Sequence, residues 1–216
     1  MKLQKIGGVG SIGLACLCAI YLVFFFLVFP SLGLIGPNDW IDPVKAIAAW
    51  NASPISFFLF DLEFILVSIA IILILLALRE RMQASAPNLM RIAVIGVSIA
   101  CALWLAGALI DIIGKPPIIS AKDASASRVA MGVVLGLDIG GDHAWGWALL
   151  LIGWAALKTK GLPRILSYLS VLGGILGILV FAVQPLMFVF IFLGIVWGVW
   201  LAVVLLRRSN NAAEQC

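Results

Sequence analysis

The sequence predicts an all-α polytopic membrane protein, a bundle of six transmembrane helices with both termini in the cytoplasm. Three observations carry this prediction. The 216 residues are 64% hydrophobic and only 11% charged, against about 45–50% apolar and about 25% charged in soluble domains. Mean hydropathy is +1.20, and no soluble fold of this length hides so much apolar surface, so the solvent must be lipid. The apolar residues also come in long continuous runs, not in the alternation of a membrane β-strand.

Six runs approach the roughly 20 residues that cross a hydrocarbon core as helix: 9–32, 54–78, 90–113, 130–157, 165–183 and 186–206. The first begins "MKLQKIGGVGSIGLAC", with the basic start of a lipoprotein signal. It then continues unbroken through "LCAIYLVFFFLVF", so it reads as an uncleaved first membrane helix. Within it, "GVGSIG" (8–13) matches G-x-G-x-x-G but follows no strand, and is read as helix packing. In the loop 33–53, "DPVKAIAAW" reads as a short helix on the membrane surface. Ser53-Pro54 supplies a cap and first turn for the second span. The third span ends in "ALIDIIG" and is followed by the loop 114–129; Pro163 and Pro185 mark tight hairpins around the fifth. Residues 1–208 thus form one transmembrane domain, and 209–216 a short, polar cytoplasmic tail.

Basic residues set the orientation. Lys2, Lys5, Arg79, Arg81, Arg91, Lys158, Lys160, Arg164, Arg207 and Arg208 fall on one side of the six spans; Lys45, Lys115, Lys122 and Arg128 fall on the other. The positive-inside rule places the first side in the cytoplasm. The net charge of +4 is therefore a topology signal, and no nucleic-acid partner is expected. Cys16, Cys18 and Cys101 lie in apolar runs and Cys216 is the last residue, so there is no disulfide framework.

The segment "DIGGDHAWGWALLL" (138–151) stands out. Ala144 to Leu157 is too short to cross the core, so the fourth span draws Asp142, His143 and Asp138 into the outer leaflet. Phe64 to Leu78 is also short, which brings in Asp61 and Glu63, and Asp111 lies at the same level on the third span. These six residues are the candidate ligand or cation site. With no Lys or Arg inside the spans, a converging cluster must hold a proton or bind a cation. The alternative is a solvated rim, paired with Lys115, Lys122 or Arg128, among tryptophans of the ordinary aromatic belt.

At about 100° per residue, Asp138, Asp142, Trp145 and Leu149 share one helix face, with His143 and Trp147 nearer the opposite one. Asp61 and Glu63 are two apart, so only one of them points squarely into a bundle. Gly132, Gly136 and Gly140 form a small-residue ridge suited to a close neighbour, as do Gly173/Gly177 and Gly194/Gly198. The ridge predicts that enlarging Gly136 harms stability more than truncating Leu149. Gly140-Gly141 also offers a break of the kind transporters place at binding sites.

Much known chemistry is excluded. A single histidine rules out bis-histidine haem, and no lysine within a span is available for a retinal Schiff base. H-E-x-x-H, G-x-S-x-G and P-loop signatures are absent. No catalytic residue and no cofactor is predicted. Asp138 and Asp142, four apart, suit with a third acid a hard cation or shared proton, not zinc or copper.

Three segments carry a resemblance: "LRERMQASAPNLMRIAVIGVSIACALWLAG" (78–107), "GWALLLIGWAALKTKGLPRILSYLSVLGGILGIL" (146–179) and "FLGIVWGVWLAVVLLRR" (192–208). Trp154, a short basic loop, Leu162-Pro163-Arg164 and a glycine-bearing helix form its clearest pattern. The chain resembles a family of small bacterial integral membrane proteins catalogued as a domain of unknown function. The resemblance implies six helices in a bacterial cytoplasmic membrane, and no activity.

Three functional readings follow. The first is a non-enzymatic scaffold or accessory subunit, packing in the bilayer against membrane-protein partners or its own copies. The second is a carrier or sensor binding a proton, cation or small polar ligand at the outward acidic cluster. The third, an intramembrane enzyme using paired carboxylates, ranks last because no nucleophile stands out.

Overall fold

A helix satisfies its backbone polar groups within itself, and in the computed structural model the described residues form seven helices. Residues 2–36, 39, 42–121 and 123–211 are described; Lys122 and the tail residues 212–216, which entered the reading of topology, lie outside them. No strand occurs among the described residues. Helix α1 (Lys2–Val23) passes through a π-helical turn, Phe24–Val28, into a last turn, Phe29–Ser31. The short α2 spans Pro43–Ala52 and α3 spans Pro54–Met82. Helix α4 (Pro87–Leu109) continues through a second π-turn, Ile110–Gly114, into Lys115–Ser120. Then come α5 (Ala124–Thr159), α6 (Arg164–Leu179) and α7 (Leu186–Asn211).

Both π-turns have a local cause. Pro30, and Pro116 with Pro117, bring no N–H and crowd the carbonyl four residues back, so the ladder slips to five-residue bonds. Phe29 N–H then donates to Phe24 O, and Lys115 N–H to Ile110 O. Caps set other boundaries. Asp42 accepts from Val44 and Lys45 N–H ahead of α2, and Asp123 from Ser125 and Ala126 N–H ahead of α5. Ser53 does not cap α3 through its side chain; its hydroxyl shares a 2.8 Å hydrogen bond with that of Ser56.

The six long helices close a ring. Each packs on its neighbours in the order α1, α3, α4, α5, α6, α7, and α7 returns to α1. Consecutive helices run in opposite directions, so the basic loops gather at one end. There Gln4 Nε2 donates to Ala77 O and Glu80 Oε2. At the other end Tyr21 Oη donates to Met187 Sδ. Four helices are long and apolar enough to cross a membrane: Leu3–Ser31, Pro54–Met82, Pro87–Ser120 and Leu186–Arg207. Helix α6 is shorter, and α5 carries the acids.

Several expectations are corrected. The fourth helix starts at Ala124, not 130, because Asp123 caps it and no breaker follows. The third continues to Ser120 as a helical run, and the fifth stops at Leu179. Gly140-Gly141 makes no break: α5 is continuous through both. A Cβ on Gly132 or Gly136 would meet nothing within 4 Å, and one on Gly140 only the end of Leu103, so this ridge carries no close packing within the chain. The intimate face of α5 is the other one. A Cβ on Gly146 would stand 2.6 Å from Ile178 N, and one on Gly177 2.9 Å from Gly146 Cα. Gly173 packs beside Leu149, Gly194 beside Cys18, and Gly198 on the Ser11 carbonyl of α1.

Candidate functional site

About 24–30 Å of helix separates Asp61, Glu63, Asp111, Asp138 and Asp142 from Arg79, Arg91 and Lys158 at the basic end of the same helices. The acids therefore share one level near the opposite end of the ring. There the helices part around a cavity of about 720 Å³. Glu63 of α3, Asp111 of the second π-turn, and Asp138 and Asp142 of α5 all line it, and Trp145 and Leu149 continue the α5 wall.

The remaining candidates sit elsewhere. Asp61 is buried with 6% exposure and lies beside Asp111, outside the cavity lining. His143 turns away from the acids. Its Nε2 accepts from Trp147 Nε1 at 3.1 Å, which leaves Nδ1–H to donate to Ile178 O at 3.2 Å.

The acids differ in their partners. Asp111 forms an ion pair with Lys115 one turn on, and Lys115 is the only cationic side chain among the described residues that line the cavity. This is a partner the rim account named; the helix's own continuation past the π-turn delivers it. Glu63 is 5% exposed, and its Oε2 has no hydrogen-bond partner. Trp104 of α4 faces Asp142, with its Nε1 buried. Asp138 and Asp142 are half-buried. Asp138 reaches toward α4, where Gly107 makes room: a Cβ there would stand 2.8 Å from Asp138 Oδ1.

The rest of the wall is apolar and largely aromatic. Tyr21 of α1 meets Phe64 edge-on at 6.3 Å, and Phe60 meets Phe64 at 5.4 Å. Deeper in, Trp145 meets Trp197 at 6.3 Å. The residues Leu34, Ala46 and Trp50 roof the acidic end, from α2 and the loop before it. An exposed clasp holds that loop. Asp39 pairs with Lys45 and accepts the N–H groups of Gly36 and Ile35, which together lower its carboxyl to about 2.

Tyr21, Phe64 and Trp104 were not singled out from the sequence. Trp104 had a signal, since it precedes Asp111 by two helical turns and so shares its face. Tyr21 lies in an aromatic-rich run with no polar neighbour to mark it.

Chemically, the cavity offers carboxylates in an apolar surround with too few cations to match them. Among the described residues no three His, Cys, Asp or Glu side chains come together as a metal site. Comparison with protein-family models, curated proteins and solved structures found no match.

Proposed function

We propose that this chain is a six-span protein of the bacterial cytoplasmic membrane, with both termini in the cytoplasm, and that it binds a cation or small polar ligand in the acidic cavity as a carrier or sensor. One observation carries the reading: Glu63 Oε2, buried and unpartnered, lines the same cavity as Asp138 and Asp142. A buried carboxylate left without partners costs several kcal/mol, a cost that a bound cation offsets. Orientation rests on the basic residues at the end away from the acids. The α5 and α6 crossings rest on their places in the closed ring.

The test is thermal unfolding of the purified protein in detergent against a panel of inorganic cations, amines and small polar solutes. A ligand that raises the midpoint of the wild type, and not that of a Glu63→Gln/Asp142→Asn variant, supports the reading. Silence across the panel counts against it.

The scaffold reading keeps one supporting observation. Gly132 and Gly136 meet nothing within the chain, and Val129 and Val133 beside them are exposed, which leaves a small-residue face open to another helix. Disulfide trapping through Gly132→Cys in native membranes tests it; the absence of any cross-linked species would remove its support.

A further inference from the structure

We infer that the ligand of this cavity is a lipophilic amine bound in its protonated form, not an inorganic ion. The inference rests on the reading of the cavity as a ligand site and names the ligand's chemistry.

Charge sets the sign. Lys115 answers Asp111, and no other cationic side chain among the described residues lines the cavity to answer Glu63, Asp138 or Asp142. What answers them is a proton or a cation, and a protonated amine brings both. The cation's form follows from the acceptor. Glu63 Oε2 is an unsatisfied acceptor on a residue only 5% exposed, so a cation that satisfies it brings an N–H. A protonated amine does so and a quaternary ammonium does not.

The walls exclude the simplest cations. Calcium takes six to eight oxygens and magnesium an octahedral shell, whereas these acids line a cavity of about 720 Å³ without converging as a metal site. That volume lies within the range of about 300–1,000 Å³ typical of pockets for drug-sized molecules. The rings of Tyr21, Phe60, Phe64 and Trp104 line the same cavity as Glu63. Aromatic faces attract a desolvated ammonium, and they bury a hydrocarbon body. An acid at one end of an apolar chamber thus fits a molecule with a charged head and an apolar body.

The experiment compares 4-phenylbutylamine with its neutral counterpart 4-phenylbutan-1-ol, and with sodium and magnesium, by titration calorimetry on the detergent-solubilised full chain at neutral pH. The amine is expected to bind at least about tenfold tighter than the alcohol, a preference a buried charge pair readily supplies. Glu63→Gln is expected to weaken the amine several-fold more than it weakens the alcohol, and so to narrow that preference. Asp142→Asn gives a second measure of the preference if Glu63→Gln does not fold. Equal binding of amine and alcohol would overturn the inference yet leave a ligand cavity. Tight binding of sodium or magnesium that excludes the amine would also overturn it and would keep the cation-binding reading. No binding by any of the four would overturn both.

Discussion

Gly146 and Gly177 bring α5 and α6 together backbone against backbone: a Cβ on Gly177 would stand 2.9 Å from Gly146 Cα, and one on Gly146 2.7 Å from the Gly177 carbonyl carbon. Backbone cannot step aside as a side-chain tip can. Gly146→Ala is therefore expected to lower stability by about 1–3 kcal/mol through overpacking. Gly136→Ala, with open space at its Cβ, is expected to be neutral or to gain up to about 1 kcal/mol from helix propensity. Truncating buried Leu149 is now expected to cost more than enlarging Gly136, the reverse of what the ridge suggested. Thermal unfolding in one detergent ranks the three variants, and equal midpoints for Gly146→Ala and Gly136→Ala would contradict the packing.

Trp197 Nε1 donates to Ser170 Oγ at 2.7 Å, and both residues are buried. Ser170→Ala leaves the indole N–H without its partner and is expected to cost about 1–3 kcal/mol. Trp197→Phe in the same chain removes the stranded donor. A double-mutant cycle should therefore show that the second change costs less in the Ser170→Ala background than in the wild type. Additive losses would mean that the bond contributes little.

Glu63 carries an unpartnered oxygen in the ligand-free protein. Glu63→Gln keeps the shape and removes the charge, so it is expected to hold or raise ligand-free stability by roughly 1–3 kcal/mol. The same change removes stabilisation by any cationic ligand, the opposition of stability and activity usual at binding sites. A variant clearly less stable than wild type without ligand would show that the carboxylate is structurally satisfied.

The clasp of Asp39 on Lys45 and on the N–H groups of Gly36 and Ile35 lowers that carboxyl from 3.8 to about 2. A folded-state value below the unfolded one stabilises above the unfolded value and is lost as pH falls through the folded one. Protection of the Gly36 amide from hydrogen exchange should therefore persist at pH near 4 and fade as pH approaches 2. Asp39→Asn should show reduced protection at every pH in this window. Fading already complete at pH 4 would mean that the clasp does not form.

The proposed orientation places Lys45 outside the cell and Ser85, in the turn after α3, inside. Lys45→Cys is expected to react with a membrane-impermeant thiol reagent in whole cells, and Ser85→Cys only after lysis. The opposite pattern would invert the protein in its membrane.

The sequence by itself determined that the chain is helical, with runs long and apolar enough for lipid, and at which end of α3, α4 and α5 the acids lie. Those properties follow from run length and composition: an apolar solvent demands internally bonded helices, and carboxylates cannot lie deep among hydrocarbon without cause. Helical spacing also placed Asp138, Asp142, Trp145 and Leu149 together, and all four line one cavity. Which face of each helix turns inward was decided only by the tertiary structure. A soluble helix shows its buried face as an apolar stripe, but in lipid both faces are apolar and the stripe disappears. Hence Gly132 and Gly136 looked like a packing ridge and face open space, while Gly146 and Gly177 form the close crossing. Lys115 answers Asp111 because the helix continues past it and sets the two one turn apart. Ring closure of α7 on α1 brings residues distant in sequence, among them Tyr21, Glu63, Trp104 and Asp142, around one chamber, a relation that no local pattern encodes.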